Sequence, residues 1–162
     1  MANIKLARVD FRLMHGQVVT GWLHQVNADT ILIVNDELAK DKFLAQVFLM
    51  AAPPGVKVLI RSTQRAIEEM TANKYGNRNL LVLFKNIESA YKAVMSGFPL
   101  KSLQVGGVNS SPEKKQIDGV LFINDEEIQM VKEMDQKNIE VYFQVTPKHN
   151  VITLEDALKI VE

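Results

Sequence analysis

In residues 4–18 the chain reads IKLARVDFRLMHGQV. The apolar run from Ile4 to Val9 predicts a β-strand, and the residues that start near Gly16 have the spacing of an α-helix. The segment between them is therefore a predicted turn from a strand into a helix. In an α/β protein such a turn lies at the carboxyl end of a strand, where ligands usually bind. The unpaired N–H groups of a helix amino terminus favour phosphate-like anions.

The rest of the chain alternates short β-branched runs with longer helical segments, which predicts βα units and a mainly parallel sheet. Besides residues 4–9, the predicted strands are residues 30–34, 56–60, 79–84, 102–105, 120–123 and 139–145. The strand over 120–123 is expected to be antiparallel or to lie at an edge. These patterns predict a single α/β domain over residues 1–162, with a mainly parallel central sheet of six to seven strands.

Helical spacing predicts helices between these strands, and several of them carry start signals. Asn86 is placed to cap a helix over 87–96, and a helix over 125–136 has acidic residues in its first turn. A last helix from Thr153 has the character of a capping box. A stripe of residues in the helix after the second strand has a spacing of three to four and predicts a buried face, made of Phe43, Leu44, Val47, Phe48 and Ala51.

Two connecting segments are predicted to lack regular structure. Asn35-Asp36 forms a turn after the second strand, and residues 108–116 form an exposed polar loop. Gly106-Gly107 precedes this loop, and it either lets the backbone approach a ligand or forms a simple turn. Trp22 is expected to lie in the core, together with the pair Phe43/Phe48.

The composition indicates a soluble globular protein with one substantial core. Of the 162 residues, 47% are hydrophobic and 23% are charged. Nineteen basic and nineteen acidic side chains give a formal net charge of zero, so we predict no nucleic-acid partner. The absence of cysteine excludes disulfides and thiol catalysis. The sequence has no signal-peptide pattern and no apolar run near the roughly 20 residues needed to cross a bilayer, so we expect a cytoplasmic location.

Several common site motifs are missing from the sequence. There is no Gly-x-Gly-x-x-Gly, no Walker loop and no Gly-x-Ser-x-Gly elbow, so a dinucleotide-binding enzyme, an NTPase and an α/β-type hydrolase are not indicated. The three histidines, His15, His24 and His149, lack a metal-ligand spacing. We therefore predict no metal and no other cofactor.

His15 is the leading candidate for chemistry, because the predicted turn places it where it could bind a phosphate or carry one. A neutral imidazole is a good nucleophile near pH 7, and a phosphoryl group on its nitrogen remains reactive. Arg8 and Arg12 could offer guanidinium donors to the phosphoryl oxygens. Asp10 could hold one imidazole nitrogen, which would fix the tautomer and leave the other nitrogen free to attack.

The same residues also have a structural interpretation. His15 would then bond a backbone group near the helix start, and Asp10 would only shape the turn. Arg8 and Arg12 would be solvated side chains near a sheet edge. Lys85, just past a central strand, would either reach the same rim as His15 or be an exposed turn lysine. The residue types alone leave these alternatives open.

Residues 8–18, with Trp22 shortly after them, closely resemble the signature of the IIB component of mannose/fructose/sorbose-type sugar phosphotransferase systems. The likeness covers nearly the whole chain and continues through residues 34–36, 51–58, 83–86 and 105–107. The resemblance implies a three-layer α/β/α sandwich with a mainly parallel sheet. The length agrees as well, since a free-standing IIB domain is about the size of this chain.

The resemblance implies a function as well. His15 occupies the position of the family's phosphorylated histidine, which would accept a phosphoryl group from a phosphohistidine on a IIA partner. It would pass that group to a sugar delivered by the membrane components IIC and IID. Asp10 and Arg12 fall on the family's active-site loop as catalytic residues, with Arg12 as the main phosphate contact. The expected phosphate-binding residues are Arg8, Arg12, Met14, Gly16, Gln17 and Lys85.

The resemblance thus predicts a protein-Nπ-phosphohistidine–sugar phosphotransferase without a cofactor. It would be cytoplasmic and associated peripherally with the inner face of the membrane through the permease components. The alternative is a non-catalytic anion- or nucleotide-binding regulatory α/β domain, and a metal hydrolase is a distant third. Neither the sugar nor the reacting imidazole nitrogen is selected by these residues.

Overall fold

The computed structural model describes residues 1–162, and its elements follow the predicted alternation. The strands are β1 (Asn3–Asp10), β2 (Thr30–Val34), β3 (Lys57–Arg61), β4 (Asn79–Phe84), β5 (Ser102–Gly107), β6 (Lys115–Asp118), β7 (Leu121–Ile123), β8 (Glu140–Phe143) and β9 (Ile152–Thr153). The helices are α1 (Gly16–Val26), α2 (Asp36–Lys40), α3 (Lys42–Met50), α4 (Thr63–Thr71), α5 (Ile87–Met95), α6 (Asp125–Gln136) and α7 (Leu154–Val161).

Seven strands form one sheet in the order β3-β2-β4-β1-β5-β8-β9, and within it only the β8–β9 pair is antiparallel. β1 lies in the middle of this sheet and pairs in parallel with β4 on one side and β5 on the other. The carboxyl ends of these three strands therefore meet at one rim, with the turn after β1 between the other two. The strands β6 and β7 form a separate antiparallel hairpin.

Helices cover both faces of the large sheet, and each face has its own apolar core. On one face Trp22 of α1 and Leu38 of α2 pack with Ile31 of β2. On the other face, side chains of α4 to α7 pack with Leu32 of β2 and Phe84 of β4. Successive residues of a strand point to opposite faces, and all five residues of β2 are buried. The predicted α/β/α sandwich with a mainly parallel sheet is confirmed.

The predicted helix caps are present where the sequence placed them. Asn86 Oδ1 accepts a hydrogen bond from the backbone N–H of Ser89 at 2.7 Å, and Thr153 Oγ1 accepts one from Asp156 N at 3.1 Å. Each cap satisfies one of the N–H groups that a helix leaves unpaired, and such a bond stabilises a helix by about 1 kcal/mol. Short polar side chains therefore fix where these helices begin.

Two connecting segments differ from the prediction. Asn35-Asp36 does not form a simple turn, because the Asn35 side chain caps the short helix α2 by accepting from Leu38 N at 2.8 Å. The prediction of an exposed loop over residues 108–116 is wrong at both ends of the segment. Val108 is buried, and β6 begins at Lys115. β7 is antiparallel, as expected, but it pairs in the hairpin. β9 was not predicted, because two residues are too short for a periodic pattern.

The predicted buried stripe on α3 is wrong. Phe43 is 81% exposed and Met50 77% exposed, and no residue of the helix is fully buried. Of the predicted stripe only Phe48 is half-buried against the core, and Ala45, which was not predicted, packs there too. The helix is apolar on almost every side, so its spacing fits more than one inward face. It packs against the sheet through the side that carries an alanine, and Phe43 remains outside the core, whereas Trp22 lies inside as predicted.

This difference in burial can be measured. Phe43→Ser should change the free energy of unfolding by no more than about 0.5 kcal/mol, because an exposed side chain loses little contact. Phe84→Ala should lower it by about 3–5 kcal/mol, because Phe84 is fully buried in the larger core. Urea denaturation of both variants provides the comparison. A Phe43→Ser penalty close to that of Phe84→Ala would contradict the packing of α3.

Candidate active site

The turn after β1 is held from both ends by buried residues. The Asp10 carbonyl accepts a hydrogen bond from Leu13 N at 2.8 Å, and Leu13 has a left-handed backbone with φ of 58°. Leu13 and Met14 are both buried in the core beneath α1. This anchoring leaves Arg12 at the surface and brings His15 to the residue that precedes α1, where its backbone is extended. The position of His15 is therefore fixed by the packing of its neighbours.

The amino end of α1 keeps its N–H groups available. His15 is the N-cap residue, but its side chain makes no capping bond, and the first turn carries no acidic residue. Gly16 and Gln17 are both exposed beside it. The first N–H groups of a helix have no intrahelical partner and carry partial positive charge. An anion that approaches His15 would therefore meet backbone donors on the helix side of the ring.

Asp10 contacts the side chains of Arg8, Arg12 and His15. Its Oδ1 accepts hydrogen bonds from Arg12 N at 3.1 Å and from Arg12 Nε at 3.4 Å. Its Oδ2 accepts from Arg8 Nη2 at 3.3 Å and lies 3.2 Å from His15 Nε2. The carboxyl group is 1% exposed, so these bonds replace its contact with water. The sequence left two roles open for Asp10, and the carboxylate both shapes the turn and contacts the imidazole.

The surroundings keep Asp10 ionised. Burial alone would raise the pKa of Asp10, but the Arg12 backbone N–H, the charge of Arg8 and the bond to His15 together lower it below its ordinary value. An ionised carboxylate only accepts hydrogen bonds. The proton of a neutral His15 ring therefore resides on Nε2, next to the carboxylate, and Nδ1 presents its lone pair.

Arg8 is buried inside the sheet rather than solvated at an edge. Its side chain is 1% exposed, because β1 is a central strand. Besides Asp10, the guanidinium donates to Gln104 Oε1 at 2.5 Å and to the carbonyls of Gln144 and Val145 at 3.0 and 2.8 Å. Burial lowers the pKa of Arg8, and the charge of Asp10 acts in the opposite direction. The N–H groups of both terminal nitrogens therefore donate to protein oxygens.

Trp22 closes the space around Arg8. The guanidinium carbon lies 5.5 Å from the centre of a Trp22 ring, and the indole Nε1 donates to the Val145 carbonyl at 3.4 Å. The ring faces the cation and is attracted to it through its negative π-face. Trp22 therefore links α1, the end of β1 and the segment that follows β8.

Gly106-Gly107 forms neither a simple turn nor a ligand approach, since both residues are buried in β5. A Cβ atom added to Gly106 would overlap the Arg8 guanidinium, and one added to Gly107 would lie 2.8 Å from Asp10 Oδ1. The missing side chains provide the space that the ion pair occupies. Any larger residue in this part of β5 would displace Arg8 or Asp10.

A family model described as "PTS system sorbose subfamily IIB component", where PTS is the phosphotransferase system, matches residues 4–162. The chain belongs to this family. It is a IIB component of the sorbose, mannose and fructose type, a phosphoryl-transfer domain of a sugar phosphotransferase system. Proteins of this kind are phosphotransferases.

Individual relatives agree with this assignment. The sorbose-specific EIIB component of Lacticaseibacillus casei is 37% identical over 142 residues, which cover 88% of this chain and 87% of the relative. The crystal structure of the IIBSor domain of the Klebsiella pneumoniae sorbose permease superposes with a TM-score of 0.89 at 30% identity, covering 97% of this chain and 96% of that one. The mannose-specific EIIAB component of Escherichia coli K12 is 31% identical over 138 residues, or 85% of this chain and 43% of the relative.

The remaining predicted residues of this IIB component lie at different depths around His15. Arg12 is 44% exposed, and its guanidinium stacks over the Phe11 ring at 5.2 Å from the ring centre. Met14 is buried, so only its backbone faces the turn. Lys85 lies at the same rim of the sheet but lines a neighbouring groove of about 1300 Å³, which His15 does not line. The structure thus brings Arg8, Asp10 and Arg12 together with His15, whereas Lys85 makes no hydrogen bond or ion pair with these residues.

Gln104 and the segment after β8 were missed by the sequence interpretation. Gln104 gave one signal, because it is an amide between two apolar residues of a strand, Leu103 and Val105. The backbone carbonyls of Gln144 and Val145, which accept from Arg8, gave no such signal, since every residue has a backbone carbonyl. The IIB component has no group of three or more His, Cys, Asp or Glu side chains that could hold a metal ion. None of its helices has both the length and the apolar character of a membrane span.

The space requirement in β5 leads to a first prediction for the site. Gly106→Ala should lower the free energy of unfolding by about 1–3 kcal/mol or more, because the added methyl group overlaps the Arg8 guanidinium. Gly21→Ala in α1 is the matched control, since a Cβ there meets nothing within 4 Å. The control should stabilise the protein by about 0.5–1 kcal/mol through its higher helix propensity. Equal effects of the two variants in urea denaturation would contradict the packing.

The lowered pKa of Asp10 leads to a prediction for acid stability. Asp10→Asn should cost about 3–5 kcal/mol near neutral pH, because it leaves the buried Arg8 charge unpaired. The contribution of Asp10 is present above its ordinary pKa of 3.8 and is lost as the pH falls from there through the lower folded value. The difference between wild type and variant, measured in urea at decreasing pH, should therefore stay constant above pH 3.8 and shrink as the pH falls through that window. The exposed Asp118→Asn serves as control and should show almost no difference at any pH.

Proposed function

We propose that His15 carries the phosphoryl group in this IIB component and that Nδ1 is the nitrogen that attacks. The observation that supports this is the 3.2 Å contact between His15 Nε2 and the buried Asp10 Oδ2. Because the carboxylate accepts a hydrogen bond from the Nε2–H group, the Nδ1 lone pair is free, and this bond opposes a ring flip that would exchange the two nitrogens. His15 is also 24% exposed, which leaves an edge of the ring open to a partner.

The proposed reaction has two in-line transfers. In the first, Nδ1 attacks the phosphorus of a phosphohistidine on the donor, so the new N–P bond forms while the donor's N–P bond breaks. The His15 ring keeps its Nε2 proton and gains positive character, which the Asp10 carboxylate offsets. In the second, a sugar hydroxyl attacks the phosphorus, loses its proton to solvent or to a base beside the sugar, and releases neutral His15.

The phosphoryl oxygens need donors that can reach them from the rim. We assign this contact to Arg12, whose exposed guanidinium is held over the turn by Asp10, and to the backbone N–H groups of Gly16 and Gln17. Met14 would contribute through its backbone alone. We do not assign Arg8 to the phosphate, because its terminal nitrogens already bond four protein oxygens. Lys85 would attract an approaching anion without binding the transferred group.

The partners follow from the family. We propose that a IIA phosphocarrier donates the phosphoryl group and that membrane components IIC and IID present the sugar, of the sorbose, mannose or fructose class. The EIIAB name of the Escherichia coli relative supports a link between IIA and IIB. We further propose that residues 1–162 act as a single IIB domain in the cytoplasm, at the inner face of the membrane. The alternative of a non-catalytic anion- or nucleotide-binding domain finds no support in the comparisons.

The experiment that tests this proposal identifies the atom to which the phosphoryl group becomes attached. The protein is incubated with phosphoenolpyruvate, the general phosphotransferase proteins and candidate IIA partners. Wild type should gain one acid-labile phosphate on His15 Nδ1, identified by NMR of the phosphorylated ring. His15→Ala should remain folded and unlabelled. Labelling of that variant, or a phosphate on Nε2 of the wild type, would overturn the proposal.

Arg12 can be tested by its effect on rate. Arg12→Ala should slow phosphoryl transfer by on the order of 100-fold, because a charged donor to the transferring group is lost while the acceptor nitrogen remains. Arg65→Ala is the matched control, since Arg65 is an exposed arginine on α4, away from the turn. Rates of label uptake from phosphorylated IIA compare the two. An Arg12→Ala rate equal to that of Arg65→Ala would rule out the assigned role.

A further inference from the structure

Gln104 is an amide buried in the middle of the sheet. It lies in β5 between Leu103 and Val105, and its side chain is completely shielded from solvent. In the parallel register of β1 and β5, Gln104 is paired with Arg8, so the two side chains emerge on the same face of the sheet. A buried amide is unfavourable unless it is hydrogen-bonded, and a Leu at this position would fill the same space without that cost. The position therefore requires a specific partner.

Both ends of the amide are engaged. Oε1 accepts from Arg8 Nη1 at 2.5 Å, and Nε2 contacts Gln144 Oε1 at 3.4 Å. The bond to Arg8 is charge-assisted, and hydrogen bonds from a charged donor are stronger than those between neutral groups. Gln104 thus joins Arg8 to the segment after β8, whose backbone carbonyls accept from the same guanidinium.

Because the guanidinium is planar, the contact of Gln104 with Arg8 affects how Arg8 bonds Asp10. Its N–H groups lie in one rigid plane, so fixing Nη1 also fixes the direction of the N–H groups on Nη2. Nη2 bonds Asp10 Oδ2, the oxygen that contacts His15 Nε2. The orientation of the Asp10 carboxylate is therefore set on the side remote from solvent by Arg8, and that of Arg8 by Gln104 together with the Gln144 and Val145 carbonyls.

We propose that Gln104 is a positioning residue for phosphoryl transfer: it orients Arg8, and through Arg8 and Asp10 it keeps the proton of His15 on Nε2 and the lone pair on Nδ1. The proposal rests on the function proposed for His15. Gln104 touches neither the phosphoryl group nor the ring, and it acts through two intervening side chains. A neutral acceptor suits this task, since a carboxylate in its place would compete with Asp10 for the Arg8 charge.

Two variants test the role. Gln104→Met keeps the length of the side chain but removes the acceptor, so Arg8 Nη1 keeps only the Gln144 carbonyl and the guanidinium is less firmly oriented. Gln104→Glu keeps an acceptor but adds a charge that draws Arg8 away from Asp10. Both should slow transfer from phosphorylated IIA by on the order of 10-fold or more, as expected for a displaced reacting group. Both should also raise the fraction of His15 with its proton on Nδ1, measured from the ¹⁵N shifts of the imidazole.

Val82→Ala is the control. Val82 is a completely buried residue of β4 that packs in the core on the other face of the sheet. Its truncation should lower stability while the transfer rate and the His15 tautomer stay at wild-type values. A purely structural Gln104 would behave like this control, so wild-type tautomer and rate in folded Gln104→Met and Gln104→Glu would overturn the proposal. A slower rate with an unchanged tautomer would overturn it as well.

The two readouts separate this proposal from the proposed function. If Gln104→Met fails to fold, Gln104→Glu still provides both measurements, because its carboxylate can pair with Arg8. If phosphorylated IIA does not label wild type at all, the function proposed for His15 fails. The tautomer measurement then still decides the geometric part: a shifted proton in the variants supports control of the imidazole by Gln104, and an unshifted one overturns it.

Discussion

The buried ion pair between Arg8 and Asp10 is the constraint on which the rest of the site depends. The two charges lie two residues apart on one face of β1, and the central position of β1 removes both from water. A single buried charge costs several kcal/mol, so neither residue is tolerable without the other. The neighbouring strand meets the remaining demands: Gln104 supplies an acceptor, and Gly106 and Gly107 supply space. The residues that support His15 are therefore part of the central strands of the sheet and not of a surface loop.

The two arginines of the turn show how one short segment supports both structure and reactivity. Arg8 precedes the turn and points into the sheet, whereas Arg12 follows the end of the strand and points to solvent. Asp10 bonds both of them, one through each carboxylate oxygen. The inner arginine provides a fixed counter-charge, and the outer one is exposed to solvent, as its proposed contact with a phosphoryl group requires. A fixed inner arginine and an exposed outer one would suit the phosphoryl carrier that we propose His15 to be.

Most of the fold followed from the sequence, because continuous apolar strands, helix caps and regular spacing are local signals. The orientation of α3 did not follow, since a helix that is apolar on almost every side fits several packing faces. In the site, His15 and Asp10 were predicted together because they share one turn. The burial of Arg8 was not predicted, since the order of strands in the sheet decides which strand is central. The contact between Gln104 and Arg8 could be recognised only from the structure, because it depends on β5 lying beside β1 in the sheet.

The contacts of Arg8 connect the beginning of the chain with its end. Arg8 and Val145 are 137 positions apart, and the strands on either side of β1 are the fourth and fifth of the chain. During synthesis β1 emerges first, but its charges have no buried partners until the segment after β8 has been made. Bringing such distant segments together is entropically costly and slow. A nascent or truncated chain would therefore lack the bonds that hold the Asp10 carboxylate beside His15, and the phosphoryl transfer that we propose for His15 would be restricted to a domain whose folding is complete.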